Sequence, residues 1–444
     1  MVCAKFLFNL RPDQLNPGII SSQIIRYNIF MRIFWVVTLL VTGVFLSPFC
    51  LHAQEKKSFR LSHADTISTM HTDSSIESER DIKDLYRKLL KIKQTGIEVD
   101  SVTSQPIFSY IPAIGYTLQS RLAIIVSGNV AFRLDPQSRI SSITASTAYT
   151  ENRQFTLPVE SNIWTKDNQY NFVGDYRFYK YPQSTFGLGS NSNIHNEDPM
   201  NYNFLRLYEV VMRHITGNFY AGAGYGFDYH WNISHTGPVN GAPSDYTAYG
   251  AAETTVSSGI SVNMLYDNRD NSINPSDGFY AAAQYKDNVT YLGSNSNWRS
   301  LIIDVRKYYK FPANSDNVLA LWSYDWLTLN GKPPYLDLPA NSWDPYTSTG
   351  RGYIQGRFRG AQMVYLETEY RYKITRNGLL GGVFFINAES FSAAPGTALQ
   401  SVQPAIGPGL RIKLSKISKT NIAIDYGFGN QGSRGVFVNV GEVF

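Results

Sequence analysis

The chain is poor in the residues that catalysis and redox chemistry use. It has only 2 cysteines in 444 residues, Cys3 and Cys50. Both lie upstream of a secretory cleavage point expected after Ala53, so the mature chain would carry none. Disulfides and a cysteine nucleophile are thereby excluded. There are 7 histidines, with no metal-binding pair at helical spacing. His195, His214, His230 and His235 read as ordinary loop and interior residues. No Gly-x-Ser-x-Gly occurs, so the expectation is a non-enzyme with no metal and no cofactor. Charged residues are only 17%, and a net charge of +5 over this length makes no case for nucleic acid. Beyond residue 49 no apolar run is long enough for a spanning helix.

The one long apolar run belongs to a leader. Met31-Arg32 gives a charged start, Ile33 to Phe49 is apolar, and Leu51-His52-Ala53 ends on a small residue before Gln54. This pattern reads as a secretory signal cleaved after Ala53. Residues 1–30 precede a signal that has its own Met and read as an over-extended gene start. A lipid-anchored Cys50 is disfavoured, because Ser47-Pro48-Phe49 is bulky where a lipoprotein signal needs small residues. The expected organisation is therefore 1–53 as upstream extension and signal, 54–105 as a short periplasmic segment, and 106–444 as a membrane barrel.

Aromatic residues are abundant, at 14% with 30 Tyr and 25 Phe. That suits girdles at two membrane interfaces. The chain ends in Val436-Phe-Val-Asn-Val-Gly-Glu-Val-Phe444, where Val436, Val438, Val440 and Phe444 share one face of a period-two strand. In lipid every backbone N–H and C=O needs a partner within the protein, so a spanning sheet must close on itself. Candidate strands fall at 115–134, 139–150, 153–165, 169–182, 184–191, 202–215, 219–233, 253–267, 278–290, 297–311, 317–330, 361–374, 379–391, 404–415, 420–429 and 435–444. Sixteen is an even number, as single-chain bacterial barrels require. Thr216-Gly217-Asn218 and Arg376-Asn377-Gly378 read as tight turns. Longer stretches at 234–252 and 331–360 read as outer loops. The fold class is all-β, a 16-stranded antiparallel transmembrane barrel preceded by a short helical segment.

That helical segment lies in Asp81 to Lys93, where Ile82, Leu85, Leu89 and Ile92 recur at helical spacing. Four placements stay open: a plug in the barrel, a position on its inner rim, a partner-docking helix, or part of a solvated linker.

Several motifs resemble one family. Tyr266-Asp267-Asn-Arg269-Asp270-Asn-Ser-Ile-Asn-Pro275-Ser-Asp-Gly278 looks like the periplasmic turn of the BamA/TamA family of assembly and translocation barrels, the bacterial surface antigens. Arg351-Gly352-Tyr353, then Gly356-Arg-Phe-Arg-Gly360 and Glu369-Tyr-Arg371, resemble its lid-loop motif and the following strand. Gly409-Leu-Arg411 and Ile424-Asp425-Tyr-Gly427 resemble its penultimate strands. The four stand in the family's order, with the lid loop before the fifth strand from the end. The resemblance covers about residues 106–444, without recognisable periplasmic POTRA domains. It implies a Gram-negative outer-membrane barrel that inserts or translocates proteins, and a lid-loop arginine docked on inward acids. Arg351 is then the docking cation. Residue 387 is Asn where the family usually has Asp, and residue 389 is Glu where it has Gly, which implies weaker or rearranged docking.

Strand phase gives the same wall independently. On 361–374, Tyr365, Glu367, Glu369 and Arg371 share the inward face, and Asn387, Glu389 and Asp425 fall inward on later strands. Loop 331–360 has about 30 residues, and at roughly 3.3 Å per extended residue it can cross a membrane and return. Lumenal partners of Arg351 are thus expected among Glu367, Glu369, Asn387 and Asp425. Val440, Gly441 and Phe444 form the expected assembly signal. Two function classes compete: a protein-handling barrel with a weak seam between first and last strands, and a porin-like channel or structural barrel. Expected partners are outer-membrane lipid, unfolded or secreted client proteins, and separate periplasmic proteins in place of the missing delivery domains. Amino-terminal sequencing of the membrane-extracted protein should begin at Gln54, and a mature chain retaining Met1 would refute the cleavage site.

Overall fold

The structure, a computed structural model, describes residues 79–82, 84–85, 106–345, 347–416 and 419–444. The expected leader, its cleavage point and most of the amphipathic helix lie outside them. The strands are β1 (Ile107–Thr117), β2 (Arg121–Phe132), β3 (Ser141–Thr150), β4 (Phe155–Trp164), β5 (Tyr170–Lys180), β6 (Gln183–Thr185), β7 (Asp198–Thr216), β8 (Phe219–His235) and β9 (Thr254–Asp267). They continue as β10 (Gly278–Asn288), β11 (Trp298–Lys310), β12 (Val318–Gly331), β13 (Gln362–Lys373), β14 (Leu380–Ser392), β15 (Gln403–Ser415), β16 (Thr420–Gly429) and β17 (Arg434–Val440). All seventeen belong to one sheet. Because β6 has only 3 residues, sixteen strands span. Each pairs antiparallel with the next, and β5 pairs directly with β7.

The barrel is nearly closed. β1 and β17 lie side by side at one end, where a Cβ on Gly435 would sit 2.4 Å from Leu118 Cγ. β1 is paired through β2 and β17 through β16, and among the described residues no ladder joins β1 to β17.

Three strand expectations need correction. The segment expected as one strand, 115–134, is the end of β1, a turn and β2. No Gly or Asn marks that turn. Instead the Thr117 hydroxyl accepts from Ser120 N at 3.0 Å, a side-chain turn with a weaker sequence signal. The expected strand 184–191 is not a spanning strand. Phe186 and Leu188 mimic alternation, but Gly187 and Gly189 have φ of 102° and 82°, which no strand accommodates. One strand missed and one strand wrongly expected leave the count at sixteen.

The third correction is the chain's last turn. β17 stops at Val440, and Gly441, with φ of 107°, swings the following residues off the strand. Phe444 does not share the outward face of Val440. It is buried inside the barrel, with its ring stacked on Trp322 at 5.0 Å. Arg371 Nη2 donates to its carbonyl oxygen at 2.9 Å.

The ends of the barrel differ. One carries short turns, among them the two residues between β7 and β8. The other carries long loops, including 236–253 with a short helix at Asp245–Gly250 and the segment 332–361. At the short-turn end, Arg269 forks onto Asp267 through Nε and Nη2, both at 2.9 Å. Asp270 accepts from Ser276 N at 2.8 Å and from Ser276 Oγ at 2.7 Å. Pro275 is buried, and Gly278 packs so tightly that a Cβ would meet Arg269 Cα at 2.6 Å. The described start of the amphipathic helix lies on the same rim. Asp81 and Asp84 cap each other's backbone N–H. Arg80 N–H donates to Asn377 O at 2.9 Å, and Lys416 Nζ pairs with Asp84 at 2.9 Å.

Phe444→Ala should cost about 3 kcal/mol by emptying this aromatic site, lowering the yield of heat-modifiable barrel on gels. Trp322→Ala should reproduce the loss. An unaffected Trp322→Ala yield would instead assign the effect of Phe444 to strand pairing or lipid contact.

Candidate functional site

Period-two alternation on four neighbouring strands builds an inward wall: Glu367 and Glu369 on β13, Asn387 and Glu389 on β14, Arg411 on β15 and Asp425 on β16. All six are buried. The segment 332–361 runs against this wall and places Arg351 there, 2% exposed. Arg351 Nη2 donates to Glu367 Oε1 and Glu369 Oε1, and Nη1 donates to Asp425 Oδ2 at 2.6 Å. The guanidinium carbon lies 3.9 Å from the centre of the Phe385 ring, a cation–π contact.

The pairing extends beyond Arg351. Arg371 Nε donates to Glu369 Oε2 at 2.7 Å. Arg411 donates to Asp425 Oδ1 at 2.5 Å and to Glu442 Oε2 at 2.8 Å. Three guanidiniums and four carboxylates thus share one buried network. Such groups tolerate burial only when paired and hydrogen-bonded, and the guanidinium fork fixes their geometry.

The backbone around Arg351 is held as firmly. Gly352 has φ of 112°, and its carbonyl accepts from Ser433 Oγ at 2.8 Å. Tyr353 OH donates to Pro404 O at 2.6 Å and accepts from Asn430 N at 2.9 Å. β16 presents a flat surface here, because a Cβ on Gly427 or Gly429 would come within 2.6 Å of Gly352 N or the Tyr353 ring. Asn387 Nδ2 donates to Arg351 O at 3.0 Å. A carboxylate at 387 has no proton for that bond when ionised. Asp425 supplies a further acid to Arg351 from β16. Glu389 stands outside the network, with its Oε2 3.0 Å from where a Cβ on the loop residue Gly350 would lie.

The same segment also reaches the opposite wall. Asp337 accepts from Ser257 Oγ at 2.5 Å and lies 3.6 Å from His230 Nδ1. Trp343 Nε1 donates to Gln183 at 3.2 Å, and its ring packs edge-on against Tyr181 at 5.7 Å. Arg359 donates to the carbonyls of Tyr335, Leu336 and Leu338, tying the segment to itself. Beneath it lies a cavity of about 730 Å³, lined by Arg206, Asp228, Lys286 and Asp304 and roofed by Asp337 and Trp343.

Sequence reasoning brought Arg351, Glu367, Glu369, Asn387 and Asp425 to one wall. It passed over Arg371 and Arg411 as site residues, although both lay in quoted motifs. It had no signal for Asp337, which sits in a loop without periodicity. The turn residues Asp267, Arg269, Asp270, Pro275 and Gly278 lie at the short-turn end, apart from this wall.

Asp337 gives a pH expectation. Burial, reinforced by the Asp228 charge, pushes its carboxyl up to about 7. The Ser257 bond, Lys286 and Arg206 only partly oppose that rise. A folded-state value above the ordinary carboxylate range means stability that is complete at low pH and lost as pH rises through about 7. Limited proteolysis within 332–361 should thus be faster at pH 8 than at pH 6, and Asp337→Asn should flatten the difference. Equal cleavage of the unsubstituted protein at both pH values would contradict this assignment.

Comparison with known proteins identifies the family and the fold. The Omp85 superfamily domain matches residues 138–442. Among solved structures, CdiB from Escherichia coli superposes with a TM-score of 0.50 at 8% identity, covering 76% of this chain and 62% of that one. CdiB from Acinetobacter baumannii gives 0.49 at 10% identity, covering 76% and 59%. BamA from Haemophilus ducreyi lacking POTRA domains 1-3 gives 0.48 at 10% identity, covering 76% and 69%. The chain thus spans less than two thirds of either CdiB chain. At such identities the structural likeness concerns fold alone. No curated protein matches the sequence. The family match covers most of the chain and runs from β3 to β17 of the barrel, so the chain belongs to the Omp85 superfamily, as a β-barrel of the Gram-negative outer membrane.

Proposed function

We propose that this barrel inserts or translocates client proteins. The seam between β1 and β17 serves as its strand-accepting edge, and segment 332–361 serves as a lid docked in the lumen. The observation that carries the reading is the Arg351 network. Three carboxylates on β13 and β16 converge on one loop guanidinium, which is far more than a solvated lumen charge needs. The seam supports it, since an unlaced edge offers main-chain donors and acceptors to an incoming strand. Outward faces meet outer-membrane lipid, and the clients are unfolded or secreted proteins. Separate periplasmic proteins bring those clients. Val440, Gly441 and Phe444 act as this barrel's own assembly signal. The role is non-enzymatic.

A porin-like or structural barrel is the second reading, favoured by the 730 Å³ cavity under the loop. A segment bonded to both walls above that cavity argues against a wide constitutive pore.

Tethering the seam tests protein handling. Leu118→Cys with Gly435→Cys, oxidised, should abolish client insertion in reconstituted vesicles, and reductant should restore it. Undiminished insertion by the tethered barrel would reject the seam. Arg351→Ala tests the lid separately. It leaves Glu367, Glu369 and Asp425 buried without this cation, a penalty of about 3–5 kcal/mol against the docked loop. Ion conductance and protease cleavage of the loop should rise while the barrel stays heat-modifiable. Unchanged conductance and cleavage would reject the lid.

A further inference from the structure

The inward carboxylates near the loop are not used alike. Glu367 and Glu369 bind Arg351, whereas Glu389, on the neighbouring strand and closer to the loop end, is just as buried at 1% exposed. Neither of its oxygens has a hydrogen-bond partner. Glu389 stands opposite Tyr365 in the β13–β14 register, two residues beyond the pair Glu367–Asn387. The resemblance places Asp at 387 and Gly at 389. Here the acid stands two residues further out.

The loop passes directly over this carboxylate. A Cβ on Gly350 would lie 3.0 Å from Glu389 Oε2. Arg351 follows Gly350 and precedes Gly352, and these glycines have φ of 76° and 112°. Two left-handed glycines flanking one arginine give its backbone freedom that other residues lack. Arg351 Nε has no partner in the docked position. The other charges acting on Glu389 are Arg357 and Asp344. Arg357 is already held by Ser192 and Gln431.

We propose that Glu389 is a second docking carboxylate for Arg351, occupied when the loop rises toward the outer end of the barrel. It rests on the loop acting as a lid. Arg351 leaves Glu367, Glu369 and Asp425, re-aims about its flanking glycines, and pairs with Glu389 about 7 Å further along the wall, two residues at roughly 3.4 Å each. A guanidinium leaving one buried site for none would carry its full desolvation penalty. A waiting carboxylate removes that barrier and makes the raised loop a discrete position rather than a continuum.

Single-channel recording in planar bilayers tests this with unsubstituted protein, Glu389→Gln, Glu389→Asp, Arg351→Ala and the Arg351→Ala/Glu389→Gln pair. Unsubstituted barrels should show a closed level and a partly open level. Glu389→Gln should cut occupancy of the partly open level about tenfold while leaving the closed level intact. Glu389→Asp, which keeps the charge, should retain it. Arg351→Ala should abolish the closed level, and adding Glu389→Gln to it should change nothing more. The proposal is overturned if unsubstituted barrels lack a partly open level, or if Glu389→Gln leaves it as frequent. It is overturned equally if Glu389→Asp loses it as fully as Glu389→Gln, or if Glu389→Gln acts as strongly without Arg351. An unchanged closed level in Arg351→Ala would instead remove the lid reading itself.

Discussion

A guanidinium and its carboxylates lose more on leaving water than any single contact returns, so a buried charge must find several opposites at once. In the docked loop Arg351 meets that condition, with three carboxylates around it. Its partners come from β13 and β16, which are not adjacent, and β14 supplies the Phe385 ring and the Asn387 amide. Through Glu369 and Asp425 the pairing passes to Arg371 and Arg411, and from them to Phe444 and Glu442. One network therefore joins the loop, four strands and the last turn of the chain. The loop can lie inside a lipid-facing barrel because the alternation that puts Phe384 and Ile386 outside puts acids and arginines inside.

Much of this was legible from the sequence because alternation leaves little choice of face. The inward phase of Glu367, Glu369, Asn387 and Asp425 follows from period two alone, as does the outward phase of Ile424 and Phe428. What could not be read depended on chain direction rather than periodicity. The β1–β2 turn uses Thr117 and Ser120 side chains in place of glycine. Phe186 and Leu188 alternate like a strand but are separated by glycines in left-handed conformations. Phe444 has the right phase for the outer face, yet Gly441 breaks the strand before phase matters. Asp337 lies in a stretch with no period, and only the folded loop brings it to Ser257 and His230.

Positions 387 and 389 hold Asn and Glu where the resemblance implies Asp and Gly. An amide at 387 gives a donor to the loop carbonyl, and the acids of β13 and β16 take the cation. With identities of 8–10% to the solved barrels, these side chains are read from the wall they stand on. The wall is set by strand order and register. The choice of which inward position holds the charge is the chain's own.

The barrel is also uneven in height. β7 runs for 19 residues and β8 for 17, whereas β17 has only 7. A 7-residue strand rises roughly 23 Å along its own axis at about 3.3 Å per residue, and less across the membrane once tilted. That is shorter than a hydrocarbon layer of about 30 Å. A bilayer matched to the tall side is therefore too thick beside β17, and the lipid there must thin and disorder to cover it. The early turn at Gly441 thus shapes the surrounding membrane as well as the lumen. It makes the shortest of the spanning strands the one whose free edge faces β1.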